Sequence, residues 1–373
     1  MSLKYGLLKF GVACLRCVYA PIRAKKTRDK ITFISRQSEE PSADIALLSD
    51  YIRENHRDVE CSVMVKMIGS GLAGKLGYLF HMISQMKAIA TSKVVVLDGY
   101  CIAASVLDHK PDLQILQMWH ALAAIKKFGY QSLDKGSGHS SQIADIMCMH
   151  RNYDHIISAS PATGQHFCEG FGYDRDRIRL YGLPRIDVIR RAVTGDRAED
   201  FRAQVRAEYG VPEGQEIVLY VPTFRKGKQV DVDGVRKALD PKRFRLIVKL
   251  HPLHDDENIS DTRYSTYEWL GACDRIITDY SALGVEAALA EKPLYFYVYD
   301  IEDYKEQVGL NVDPLTELPK ASARTSEELA QAVNNDYDFD GLNRFREKYV
   351  SVDIEHCTEK LGDYIYGLTR KTL

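Results

Sequence analysis

An excess of charge of either sign is what this chain most clearly lacks. Its 50 Lys and Arg residues nearly balance 52 Asp and Glu, leaving a formal net charge of -2, so no global basic field points to nucleic acid as a partner. Long hydrophobic runs are scarce as well. No segment is expected to reach the length of a transmembrane helix, and no secretory cleavage pattern follows the N-terminus. The 8 cysteines are scattered; only Cys14 and Cys17 have C-x-x-C spacing, and no second pair completes a zinc site, so reduced thiols are expected. No metal-binding motif, Pro/Ser-rich linker, internal repeat or low-complexity segment is present. What remains, at 45% hydrophobic and 27% charged residues over 373 positions, is ordinary globular composition with length for two cores.

Charge is nonetheless concentrated locally. Residues 1–30 carry eight basic side chains against the single acid Asp29, interleaved with Leu3, Leu7, Leu8, Phe10, Val12 and Leu15. This predicts a basic amphipathic helix lying on an anionic membrane surface; a helix packed on the domain with solvated lysines is the alternative. Beyond it, β-branched and aromatic runs alternate with helical patterns: strands at 31–35, 59–66, 93–99, 113–119, 155–160 and 178–182, then at 216–224, 244–250, 274–279 and 293–300. The alternation predicts an α/β protein of two doubly wound domains, 31–195 and 196–373, with the boundary in the charged stretch 194–200. Ligands of such sheets bind at the C-terminal ends of the strands.

Chemistry-bearing residues sit at those ends. The run 275–277 stops at Thr278-Asp279-Tyr280-Ser281, and an Ala/Leu-rich helical pattern follows. A helix N-terminus dressed with hydroxyls is a seat for phosphate, although Asp279 or Ser281 could be the cap and Asp279 is read as structural or ribose-facing. Glu286, on the second turn, suits two ribose hydroxyls or solvent. Lys249 and His251 lie two apart at the end of 244–250, with Pro252 keeping the segment extended. Thr223 and Arg225 share one side of VPTFR (221–225), and Arg offers a planar fork to phosphate oxygens. His120 ends another strand beside Trp119, where a desolvated, neutral imidazole would suit a general base as well as a core histidine. Lys126 and Lys127 follow on a predicted helix and would serve an anion or simply face solvent. Gly182 and Pro184 make a turn, after which Arg185 and Asp187 are candidates to pair with each other.

These segments, QMWHA, GLPRID, YVPTFR, VKLHP, ITDYSALGVEAALAEKP and YVYDIEDY, lie in order between Gln117 and Tyr304. In that order they resemble the CDP-glycerol glycerophosphotransferase family, the teichoic acid primases and polymerases. The resemblance implies a GT-B-like fold of two Rossmann-type domains facing a cleft. It implies transfer of a polyol phosphate from CDP-glycerol or CDP-ribitol to a hydroxyl of a lipid-linked acceptor, with release of CMP, at the cytoplasmic face of the cell membrane. By position it assigns His120 and His251 to catalysis and Thr223, Arg225, Lys249, Thr278, Asp279, Ser281 and Glu286 to the substrate, with a divalent cation riding on the diphosphate as an option. Two positions depart from the family pattern: Ala121-Leu122 stands where Gly-Thr is frequent, and Ala282 where a second Ser is. Acceptor identity, single addition versus polymerisation, and homo-oligomer formation stay open. The competing readings are a sugar-nucleotide glycosyltransferase or epimerase on the same fold, and a non-catalytic membrane-surface module.

Overall fold

A computed structural model of the chain describes residues 3–136, 138–225, 229–250, 260–261 and 263–370. The chain divides into two units: Met1–His120 with Phe128–Arg185 and Val352–Leu373, and Ala121–Lys127 with Ile186–Ser351.

Unit 1 is built on a six-stranded, wholly parallel sheet. Its strands are β1 Lys30–Ser35, β2 Glu60–Val65, β3 Val94–Leu97, β4 Gln114–Gln117, β5 His155–Ser158 and β6 Ile178–Leu180, in the order β2-β1-β3-β4-β5-β6. All four residues of β3 are buried, as a strand covered on both faces requires, so its sequence is an unbroken apolar run. Ser42 opens helix α2 (Ala43–Asn55) by accepting a hydrogen bond from Ile45 N, and Ile45, Leu48 and Ile52 form its buried stripe.

Unit 2 repeats the logic with β7 Glu216–Tyr220, β8 Phe244–Val248, β9 Arg275–Thr278, β10 Leu294–Tyr297 and β11 Ser322–Ala323, all parallel, in the order β11-β10-β9-β7-β8. In each sheet the second strand lies on one side of the first and the later strands on the other. The order therefore reverses at β1/β3 and at β7/β9, where the C-terminal strand ends open a crevice.

Two expectations need correction. The division at residues 195 and 196 differs from the observed one, because unit 2 takes up the chain again at Ile186 and the last residues return to unit 1. The helix Cys357–Leu368 buries Leu361 and Ile365, and around it Tyr51 Oη donates to Asp363 Oδ1 (2.9 Å) and Tyr366 stacks on His56 at 3.8 Å. An amphipathic pattern reveals that such a helix has a partner, not which sheet supplies it. Second, helix α1 (Leu3–Arg23) is, by length and composition alone, long and apolar enough to cross a membrane. The same helix also packs within unit 1, in line with the alternative reading: Val12 and Tyr19 are buried, Arg16 Nε donates to Val106 O (3.0 Å), and Tyr19 Oη meets His109 Nδ1 (3.0 Å). Leu3, Leu7, Phe10 and Val18 stay exposed.

Candidate active site

Several strands stop short of their predicted ends, and the residues released from the ladders carry the chemistry. β4 stops at Gln117, whose buried amide holds the following turn: Oε1 accepts from Trp119 N (2.9 Å) and Nε2 donates to Gly99 O (3.1 Å). Trp119 adopts a left-handed backbone (φ 59), a strained conformation for a bulky residue. Its ring packs at 4.8 Å from Phe128 and 5.2 Å from Phe171, contacts that hold the turn in place. The turn presents His120 with Nδ1 3.1 Å from the carbonyl oxygen of Asp98. A carbonyl only accepts, so Nδ1 carries the proton and Nε2 keeps its lone pair. The Gln37 amide nitrogen Nε2 lies 3.3 Å from the same Nδ1, and with the ring proton given to the Asp98 carbonyl this approach is a contact and not a hydrogen bond. Desolvation pushes the imidazole pKa down to about 4, with Arg185 adding to the shift and the Asp98 carbonyl opposing it. His120 is itself exposed to solvent, and its imidazole is neutral at pH 7.

Asp98, at the end of β3, was marked in the sequence only as a strand end. Its side chain is 1% exposed, and burial raises its pKa to about 6. Its carboxylate oxygens have no hydrogen-bond partner of good geometry among the described residues, Ser35 offering a weak interaction. A second feature without a sequence signal is the buried pair of Arg185 and Asp44: Arg185 N and Nε donate to the carboxylate at 2.7 and 2.8 Å. The arginine of GLPRID thus ties its turn to α2.

In unit 2 the chain leaving β7 meets the chain leaving β9. Thr278 Oγ1 donates to Val221 O (2.7 Å), and Asp279, fully buried, accepts from Thr223 N (2.9 Å) and Tyr280 N (2.6 Å). Arg225 completes the junction. Its Nη1 donates to Asp279 Oδ2 (2.7 Å) and Thr223 O (3.0 Å), and its Nε and Nη2 grip Asp300, beyond β10, at 2.8 and 3.1 Å. Tyr280 Oη also donates to Asp300 (3.0 Å), and its ring stacks on Tyr304 at 3.9 Å. Desolvation works against the charges of Arg225 and Asp300, but their mutual attraction wins: the guanidinium pKa is raised and the Asp300 pKa lowered. The expectation that Arg225 presents a free fork to phosphate meets a guanidinium that is 6% exposed and engaged by two carboxylates.

Other expected residues are placed differently. Ser281 Oγ accepts from Leu283 N (3.2 Å), and the predicted helix is the six-residue Leu283–Ala288. A helix this short, with its first N–H already taken by Ser281, is a weak anion seat. Glu286 is buried on it and accepts from Tyr267 Oη (3.2 Å). Lys249 Nζ donates to the carbonyls of Asp261 (3.2 Å) and Tyr264 (2.6 Å), and desolvation lowers its pKa. His251 lies outside the described residues. Among the described residues no group of three or more His, Cys, Asp or Glu is placed to hold a metal ion.

Residues 18–367 match the family described as CDP-Glycerol:Poly(glycerophosphate) glycerophosphotransferase. The chain belongs to this family. It is a transferase of the polyol-phosphate class, and the donor of the family is CDP-glycerol. It is 26% identical over 357 residues to the teichoic acid ribitol-phosphate primase of Bacillus spizizenii, covering 90% of each chain. To the teichoic acid glycerol-phosphate primase of Bacillus subtilis it is 24% identical over 302 residues, covering 77% of each. The fold is also that of the wall teichoic acid polymerase TagF, with a TM-score of 0.70 at 17% identity, covering 99% of this chain and 98% of that one.

Proposed function

We propose that this family member transfers glycerol phosphate or ribitol phosphate from the CDP-polyol to a hydroxyl of a lipid-linked acceptor, releasing CMP, at the cytoplasmic face of the bacterial membrane. The observation that carries this reading is the state of His120: neutral, protonated on Nδ1 by its bond to the Asp98 carbonyl, with Nε2 left to accept a proton. In the proposed reaction Nε2 takes the proton of the acceptor hydroxyl as that oxygen bonds to the β-phosphorus. The bond from this phosphorus to the bridging oxygen breaks, and its electron pair leaves with CMP. Such transfers depend mainly on positioning and on stabilising charge.

Unit 2 is the proposed donor half. The Arg225–Asp279–Asp300 network orders the loops that carry Thr223, Thr278 and Ser281, so Arg225 acts as a positioning residue. Glu286 is proposed to receive ribose hydroxyls, Lys249 to contribute positive charge, and His251, on its motif alone, to join catalysis. A divalent cation is proposed only as a companion of the diphosphate. Attachment to the anionic membrane surface is assigned to α1, whose exposed Leu3, Leu7 and Phe10 are accompanied by Lys4 and Lys9.

The test is CMP release by the purified chain from CDP-glycerol and from CDP-ribitol, each with a lipid-linked acceptor analogue. Acceptor-dependent CMP from one donor supports the reading and names the polyol. No CMP from either donor with any acceptor, in the presence of anionic vesicles, refutes it.

A further inference from the structure

The segment Ala121–Lys127, expected on a helix, is extended in unit 2 and held by main-chain bonds. Asn311 N donates to Ile125 O (2.8 Å), Lys127 N to Gly309 O (3.0 Å), and Lys126 forms an isolated antiparallel bridge with Leu310. Asn311 Nδ2 adds a bond to Lys126 O (3.2 Å). Pinned on both sides, Lys126 projects its half-buried side chain so that Nζ lies 5.9 Å from the centre of the Tyr304 ring. Arg225 lies over the same ring, also at 5.9 Å. Yet among the described residues the Lys126 ammonium makes no hydrogen bond and no ion pair. Its three N–H donors therefore remain available beside the carboxylate and tyrosine cluster.

The charge of that cluster gives the ammonium a purpose. Arg225 faces both Asp279 and Asp300, so the network alone carries one net negative charge and would repel an incoming anion. Lys126 makes it neutral while keeping its own donors. Thr223 Oγ1, on the same loop as Arg225, is likewise buried and without a partner among the described residues. The geometry points to Lys126 as the cation that takes a phosphate oxygen of a nucleoside diphosphate-linked donor in unit 2, the role the sequence had suggested for Arg225. The assignment rests on the donor reading above.

Lys126 also titrates where an experiment can follow it. Desolvation pulls its pKa down to about 8, Asp279 opposing and Arg225 reinforcing the shift. The phenol of Tyr304, which faces it, is pushed above its ordinary value and stays neutral through this range. Donor binding is therefore expected to hold from pH 6 to 7.5 and to weaken above about 8, as the ammonium loses its proton.

The test is calorimetric titration of the full chain with CDP-glycerol and CDP-ribitol. Lys126→Ala and Lys126→Gln are expected to weaken Kd for the bound donor by roughly 10–100-fold, the value of a charged hydrogen bond. Lys126→Arg is expected to keep the affinity and abolish its decline above pH 8, which a merely structural role would not do. Lys127→Ala serves as the neighbouring control and leaves Kd unchanged. Wild-type affinity in Lys126→Gln, or an undiminished decline in Lys126→Arg, overturns the assignment. A wild-type chain that binds neither donor overturns the donor reading and this assignment together.

Discussion

Arg225→Met separates the role that the sequence suggested for this arginine from the one the structure gives it. The guanidinium is 6% exposed and holds Asp279, itself 0% exposed, and Asp300. Removing it leaves the buried Asp279 and the half-buried Asp300 without their shared cation. Breaking a buried pair in this way costs about 3–5 kcal/mol, a large part of the roughly 5–15 kcal/mol that holds a domain folded. With a urea dependence of about 2 kcal/mol/M, the unfolding midpoint of unit 2 should fall by roughly 2 M. The two tryptophans allow the units to be followed separately. In a Trp119→Phe background the remaining reporter is Trp269, buried in unit 2 with its Nε1 donating to Asp261 Oδ1 at 3.1 Å. Adding Asp300→Asn removes one of the orphaned charges and should restore part of the loss, because contacting residues are not additive. An unchanged midpoint together with lost donor affinity would refute the reasoning: the guanidinium would then be spending its bonds on phosphate and not on the fold.

The remaining predictions address unit 1 and the membrane. His120→Ala should lower turnover roughly 10²–10⁴-fold with donor Kd unchanged; equal losses in both would remove the base assignment. Because the imidazole pKa is held down to about 4, the wild-type rate should not decline between pH 8 and 6, and an acid limb centred near 6.5 would contradict a neutral, desolvated ring. Asp98 has a folded pKa raised from 3.8 to about 6, so the unfolded chain releases this proton first and stability falls as pH rises from about 4 to about 6. Asp98→Asn should therefore stabilise unit 1 at pH 8 by up to about 3 kcal/mol, at pH 5 by roughly half of that and at pH 4 by under about 1 kcal/mol, as read from Trp119 fluorescence during urea unfolding in a Trp269→Phe background; equal effects at pH 8 and pH 4 would refute the cost of the buried charge. Leu7→Asp with Phe10→Asp should release the chain from anionic vesicles in co-sedimentation, since both side chains are exposed and reverse the character of the α1 surface; undiminished sedimentation would place the attachment elsewhere.

Much of this molecule was legible because parallel strands covered on both faces leave apolar runs such as Val94–Leu97, and because sites of doubly wound sheets lie where those runs stop. His120, Arg225 and Asp279 stand at such strand ends. Partners distant in sequence were not legible. An arginine after an apolar strand announces a cation, but nothing local reports that Asp300, 75 residues later, neutralises it. Lys126 was misplaced on a helix because its local pattern allows one; backbone groups at Gly309 and Asn311 take the segment into an extended bridge. The Ala and Leu content after Ser281 reveals a helix but not where it ends. It stops at Ala288, and Glu291 with φ 54 followed two residues later by Pro293 turns the chain into β10. The same distinction separates the two cations of unit 2. Sequence displays the sign of each charge, while function depends on the charge left after pairing. Arg225 is committed to two carboxylates, so an anion arriving at unit 2 meets a cluster that is negative until Lys126 is counted.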